Sequence, residues 1–176
     1  MQKKAIFING AALALAGFLS QGAFAADGTV NFEGEIVAST CSVSPKSQNM
    51  TVPLGKIKAS VLSAAGSTST PSNFTIDLLD CDPAKAKVTF SGPPDADDAS
   101  LLRLAGGLVG STQATNVAVQ ISDSSGKQIP LGAASDEYAI LAGSNSLQFK
   151  ANYKSAKGGA TVGIANATAQ FTIAYN

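Results

Sequence analysis

The sequence closes with "TAQFTIAYN", residues 168–176, a stretch in which apolar residues alternate with polar or small ones. A period of two is typical of a β-strand with one buried face. Chain termini are usually loose unless a sheet holds them. The pattern therefore predicts a core strand at the very end of the chain, and it raises the question of what lies beside that strand. The predicted inward-facing residues are Ala169, Phe171, Ile173 and Tyr175.

Similar short alternating segments recur through the chain, separated by turns rich in Gly, Pro, Ser and Asp. Strands with turn signals at this spacing predict one all-β sandwich domain. Helix signals are weak, because the best candidate, Lys58 to Ala65, is limited to a turn or two by the Gly66-Ser67 that follows it. The other predicted strands cover residues 29–36, 73–81, 87–92, 116–122 and 146–153.

The first residues have the features of a secretory signal peptide. Two lysines precede the apolar stretch "GAALALAGFL", residues 10–19, and the small-x-small motif "AFA" follows it. The apolar stretch is too short to span a bilayer as a permanent helix. We therefore predict a signal peptide over residues 1–25, cleavage between Ala25 and Ala26, and an exported mature protein.

The chain has two cysteines, Cys41 and Cys81, and both lie in the mature part. An even pair of cysteines in an exported protein usually forms a disulfide. The alternative, two free thiols or a metal-binding pair, has no support from histidines or further cysteines. We therefore expect a disulfide formed in an oxidising compartment.

The residue types argue against catalysis and against nucleic-acid binding. The sequence has no histidine, which removes the commonest general base and excludes a Ser-His-Asp or Cys-His site within this chain. Acidic and basic residues are equal in number, and no basic stripe suggests a nucleic-acid partner. No glycine-rich phosphate loop follows a strand and opens a helix. We expect no catalytic residue, no cofactor and no nucleic-acid partner.

A run of acidic residues raises the question of a metal site. Asp95, Asp97 and Asp98 stand in "DADD", but the glycine and bidentate glutamate of a calcium loop are missing. We expect a solvated acidic loop there and no metal site.

The segment from Asp27 to Ile36 is a long alternating stretch near the predicted mature N-terminus. An unpaired strand of this kind is an aggregation liability. Two interpretations stay open on these residues alone. The segment pairs within its own domain as the first strand, or it pairs with another copy and completes that copy's sheet.

Several fragments in order resemble the chaperone-usher pilins, in particular the major type 1 fimbrial subunits. These are "GTVNFEGEIVASTCSV" at 28–43, "FTIDLLDCD" at 74–82 and "GIANATAQFTIAYN" at 163–176. The family signature is a glycine fourteen residues from the end with a penultimate aromatic residue, here Gly163 and Tyr175. Each fragment is weak alone, but their order and spacing together are specific.

The resemblance implies an immunoglobulin-like β-sandwich that lacks its final strand and is completed by a donor strand from a neighbouring subunit. It implies an N-terminal donor-strand extension at 26–38 and a pilin domain at 39–176. The donor residues carried over from the family are Val30, Phe32, Gly34 and Ile36. The acceptor groove and chaperone-binding edge carried over are Gly163, Ala169, Phe171, Ile173 and Tyr175.

The resemblance also implies a function and a set of partners. The chain would be a structural subunit of a surface fimbria that supports cell adhesion. Its partners would be other copies of itself, a periplasmic pilus chaperone, an outer-membrane usher, minor pilins and a tip adhesin. It would pass through the periplasm to the cell surface. The alternative within the same system is a minor pilin, either an adaptor or a tip-associated subunit.

Overall fold

The structure, a computed structural model, describes residues 30–32, 41–106 and 112–176. The chain divides into two units, Met1–Ile36 and Val37–Asn176. The predicted signal peptide, its cleavage site at Ala25 and Ala26, and two of the predicted donor residues, Gly34 and Ile36, lie outside the described residues. Among the described residues, none of the helices has the length and apolar character needed to cross a membrane.

The second unit is built from two antiparallel sheets, as the alternating segments predict. The strands are β1 (Ser42–Val43), β2 (Ser72–Cys81), β3 (Ala84–Ser91), β4 (Ala118–Asp123), β5 (Tyr138–Ile140), β6 (Gly143–Lys154) and β7 (Gln170–Tyr175). One sheet has the strand order β1-β2-β6-β4 and the other has the order β5-β3-β7.

An aromatic cluster occupies the centre of the core. The Phe149 side chain is only 1% exposed. Its ring centroid lies 5.5 Å from that of Phe74, 5.1 Å from that of Phe90 and 5.6 Å from that of Tyr138. Phe74 and Phe149 face each other across the β2–β6 pair, whereas Phe90 and Tyr138 come from the other sheet. Edge-to-face and offset contacts of this kind add to the stabilisation that burial provides. The cluster therefore joins the two sheets.

The helical content is as small as the sequence predicts. The predicted turn at Lys58 to Ala65 is a 3₁₀ helix at Ala59–Leu62. A four-residue helix, α1 (Pro45–Gln48), was not predicted. The Ser44 hydroxyl oxygen caps α1 by accepting from the backbone N–H of Ser47, and Pro45 stands at the first helical position. One turn is too short to produce a periodic sequence signal.

Cys41 and Cys81 form a disulfide with an S–S distance of 2.09 Å, which confirms the predicted pairing. The bond joins the residue before β1 to the last residue of β2. Since β1 also pairs with β2 through Ser42 and Leu79, the bridge and the strand pairing hold the start of the domain in one place.

The acidic loop is held by local hydrogen bonds and lysines. The Asp95 carboxylate accepts from the backbone N–H groups of Asp97 and Asp98 at 3.0 and 3.2 Å. Asp97 lies 2.8 Å from the ammonium of Lys157, and Asp98 lies 3.8 Å from that of Lys154. These carboxylates stabilise a turn and tie it to the end of β6 and the residues after it.

Candidate functional site

A long groove opens between two segments of the second unit. Its larger part, about 640 Å³, lies between residues 49–55 and 165–171. Its smaller part, about 590 Å³, lies between residues 55–59 and 160–166. The two parts adjoin, because both are lined by Gly55, Tyr153, Ala165 and Asn166, and together we call them the groove. Residues 49–59 are its first bank and residues 160–175 its second bank. The groove lining ends at Phe171, so the predicted acceptor residues Ile173 and Tyr175 continue the second bank beyond the groove.

The floor of the groove is the hydrophobic core itself. Side chains from both sheets reach it, and the lining of the larger part includes members of the aromatic cluster. A strand with apolar side chains laid in this groove would remove its own apolar surface and that of the floor from water. The apolar floor consists of Phe74, Ile76, Phe90, Leu102, Val119 and Ile121 in the larger part and Leu62, Ala114 and Val117 in the smaller part.

The first bank has no strand or helix over residues 50–58, and its backbone turns at Gly55, where φ is 74°. Within the described residues, no backbone–backbone hydrogen bond involves residues 50–57. The first bank is hydrogen-bonded to β2 through the Ser72 hydroxyl, which donates to the Pro53 carbonyl oxygen at 2.7 Å. Among the described residues, this bank therefore has backbone donors and acceptors that a neighbouring strand could pair with. Its apolar side chains, partly buried against the core, are Met50, Val52, Leu54 and Ile57.

Sequence reasoning did not assign residues 49–59 to the site. The alternation of Val52 and Leu54 with Thr51 and Pro53 was visible. Proline cannot donate to a strand ladder and is confined to edges, so it weakens any strand prediction. The same edge character makes the segment suitable for lining a groove.

The second bank ends in β7, which has one paired edge among the described residues. β7 pairs with β3. Just beyond it, Asn176 and Lys85 exchange both backbone hydrogen bonds, at 2.8 and 3.3 Å. In an antiparallel ladder such pairs alternate with pairs whose N–H and C=O groups point away from the partner. Phe171, Ile173 and Tyr175 fall in the second class, so their backbone groups face the open edge.

The structure brings the predicted acceptor residues together on the second bank. They are half-buried and pack against the core. Burial raises the pKa of the Tyr175 phenol, an effect that a hydrogen bond with the backbone of Cys41 partly opposes. The same residues thus present apolar side chains to the interior and backbone polar groups to the open edge. They are Ala169, Phe171, Ile173 and Tyr175.

Gly163 lies where the second bank crosses another backbone segment. Its neighbour Ile164 donates its N–H to the Thr112 carbonyl at 2.8 Å and accepts from the Ala114 N–H at 3.0 Å. A side chain on Gly163 would overlap the backbone of residues 112–114. Glycine at this position therefore permits the close approach that holds the second bank in place.

Tyr153, on β6, holds the second bank against the core through a hydrogen bond. Its phenolic O–H donates to the Ala165 carbonyl oxygen at 2.8 Å. Its backbone N–H donates to the Ser69 hydroxyl at 3.0 Å. Burial raises the pKa of this phenol and so favours its protonated, donating form. Alternation over residues 146–153 predicted this strand, but no sequence signal indicated the contact with Ala165.

Two of the predicted donor residues are described. Val30 is 73% exposed and Phe32 is 92% exposed. Scattered exposed apolar residues are normal, but a phenylalanine with nearly its whole surface in water loses the free energy that burial would provide. The donor assignment of Val30, Phe32, Gly34 and Ile36 stays a prediction.

Comparison with known proteins gives a consistent result. The family model described as fimbrial protein matches residues 30–176. The type-1 fimbrial protein C chain of Escherichia coli is 44% identical over 152 residues, covering 84% of this chain and 83% of that protein. Long polar fimbria protein A of Salmonella typhimurium is 36% identical over 181 residues, covering 99% of this chain and 98% of that protein.

Solved structures agree with this relationship. The crystal structure of the P pilus rod subunit PapA has a TM-score of 0.64 at 27% identity and covers 77% of this chain and 99% of that chain. A chaperone-usher pilus structure has a TM-score of 0.65 at 27% identity, covering 86% of this chain and 96% of that chain. The likeness confirms the predicted immunoglobulin-like sandwich. With a family model that spans most of its length and relatives well above 30% identity, the chain belongs to the fimbrial protein family.

Proposed function

We propose that this chain is a structural subunit of a surface fimbria, and that its groove receives a β-strand from the N-terminal segment of a neighbouring copy. The observation that carries the proposal is the groove, which has an apolar floor between two banks with open backbone edges. Strand addition supplies main-chain hydrogen bonds to both banks and side chains to the floor. The fimbrial relatives support the structural role.

The donor of this strand is the segment that carries Val30, Phe32, Gly34 and Ile36. Its alternation matches a strand whose one face is apolar. Burial of the Phe32 side chain in the groove would contribute about 1.5–3 kcal/mol. Gly34 has no side chain, so it suits a point where two backbones approach closely.

Before assembly, the groove needs a temporary occupant, because an open edge beside exposed core residues promotes aggregation. A periplasmic chaperone that lends one of its own strands would provide this cover. An outer-membrane usher would then exchange that strand for the N-terminal segment of the next copy. The route runs through the periplasm to the cell surface, where the fimbria would also contain minor pilins and a tip adhesin.

The experiment separates donating a strand from accepting one. We expect the Phe32→Asp variant to fold and accept a strand but not to polymerise, because a carboxylate cannot enter the apolar floor without a large desolvation cost. A synthetic peptide of residues 26–36 should then raise the melting temperature of this variant. The matched control is the same peptide carrying Phe32→Asp, which should leave the melting temperature unchanged. Long fibres from the variant would contradict the donor assignment, and an unchanged melting temperature with the native peptide would contradict the groove.

A further inference from the structure

The outer rim of the groove carries charge on one bank only. Lys56 and Lys58 are exposed on the first bank, and Lys56 lines the smaller part of the groove. Neither lysine forms an ion pair with any other described residue. The facing stretch of the second bank, residues 161–174, contains no charged residue. Two cations therefore stand beside a groove with an apolar floor, without a counter-charge on the facing bank.

The two lysines share one face of the first bank. Ile57, between them, is half-buried and packs against the core cluster that floors the smaller part of the groove. The burial pattern of this short stretch is therefore strand-like, with Ile57 inward and Lys56 and Lys58 outward. A strand laid beside it would place its own outward side chains next to these ammonium groups, at the spacing of cross-strand neighbours.

The N-terminal segment carries the complementary pattern. Glu33 and Glu35 flank Gly34, which belongs to the inward set of the predicted donor strand. In a strand with Phe32 and Gly34 inward, the two glutamates face outward. The sequences Glu-Gly-Glu and Lys-Ile-Lys therefore match in spacing and are opposite in charge.

We propose that Glu33 and Glu35 of one copy pair with Lys56 and Lys58 of the next, with Gly34 opposite Ile57, and that these pairs set the register and rate of subunit joining. The inference rests on the proposed function, since it specifies how the same groove recognises a second copy. A shift by two residues leaves one glutamate without its lysine, and a shift by one turns both glutamates into the apolar groove.

The pairs act mainly on the rate of joining. Exposed ion pairs contribute little to the stability of a completed interface between two subunits. Opposite charges at the entrance of a site, however, raise the rate of encounter and disfavour wrong registers, and salt weakens both effects. The signature is therefore a joining rate that falls with ionic strength, while the finished fibre keeps its resistance to heat.

The test measures fibre growth by the purified mature full-length chain, followed by light scattering. We expect the Lys56→Glu/Lys58→Glu variant to polymerise about tenfold more slowly than wild type in about 20 mM salt. In about 500 mM salt it should polymerise nearly as fast as wild type, because salt screens charge interactions beyond a few ångströms. The matched control is Lys87→Glu/Lys150→Glu, which makes the same charge change at lysines outside the groove lining and should polymerise at the wild-type rate.

A charge reversal on the donor completes the test. Addition of Glu33→Lys and Glu35→Lys to the Lys56→Glu/Lys58→Glu chain should restore the polymerisation rate in low salt to within about twofold of wild type. Each interface between subunits again contains opposite charges in this variant. A wild-type rate for the Lys56→Glu/Lys58→Glu variant, or no restoration in the four-residue variant, would overturn the inference. Absence of fibres from the wild-type chain would instead count against the proposed function itself.

Discussion

Gly163 and Thr112 lie in backbone contact at the point where the second bank crosses residues 112–114. A methyl group on Gly163 would stand 2.7 Å from the carbonyl oxygen of Thr112 and even closer to the backbone nitrogen of Ala114. The contact fixes one end of the second bank, because the hydrogen bonds of Ile164 with these residues depend on the same close approach.

The first prediction is that Gly163→Ala lowers the free energy of unfolding by about 1–3 kcal/mol, because the methyl group forces the two backbones apart. Urea unfolding would measure the loss. Gly106→Ala is the matched control, since a methyl group there would meet only the Gln113 side chain at 3.6 Å. Equal stability of the two variants would show that the bank tolerates displacement.

The second prediction concerns the disulfide. Cys41 and Cys81 are 40 residues apart, and closing a loop of that length is worth about 4 kcal/mol in the chain-entropy model. The Cys41→Ser/Cys81→Ser variant should lose roughly 3–4 kcal/mol of unfolding free energy. Wild-type protein unfolded in the presence of a reductant should show the same loss. A loss below about 1 kcal/mol would mean that the bridge adds little to the constraint that β1–β2 pairing already supplies.

The third prediction compares two phenylalanines. Phe149 is fully buried, whereas Phe171 is half-buried on the second bank. Phe149→Ala should cost about 3–5 kcal/mol whether or not the 26–36 peptide is present. Phe171→Ala should cost about 1 kcal/mol in the lone chain and more with the peptide bound, because an occupied groove buries this side chain. Thermal unfolding with and without the peptide measures both, and an unchanged cost for Phe171→Ala would contradict the groove assignment.

The fourth prediction concerns acid stability. The Ser100 hydroxyl hydrogen-bonds the Asp98 carboxylate and lowers the pKa of that group, an effect that burial partly opposes and that the Ser100 N–H and Lys154 reinforce. A carboxyl pKa that is lower in the folded state stabilises the fold above the unfolded pKa of about 4, and this stabilisation is lost as pH falls through the folded value.

Asp98→Asn should therefore lower the free energy of unfolding by roughly 1 kcal/mol at neutral pH, and the difference from wild type should shrink below about pH 4. Urea unfolding across that range gives the measurement. Ser100→Ala should show the same direction of pH dependence, since it removes the hydroxyl that is the largest cause of the shift. A difference that stays constant down to about pH 2 would contradict the assignment.

The sequence by itself determined which side chains enter the core. Alternation over residues 73–81 predicted a strand with one buried face, and Ile76 and Leu78 of β2 are buried. Alternation in β7 predicted the inward set that includes Phe171 and Ile173, which pack against the core. Two cysteines in a chain predicted to be exported predicted the disulfide. These features follow from local chemistry, because a period of two and a paired thiol are properties of the residues themselves.

Only the tertiary structure decided where the open edges lie. Strand side chains stand roughly perpendicular to the plane of the sheet, whereas backbone hydrogen bonds run within it, so alternation in β7 cannot say which edge β3 occupies. Nor can local periodicity bring residues 49–59 opposite residues 160–171, since segments so far apart meet only when the sheets pack. The groove exists because two edges come to face each other over the core without meeting.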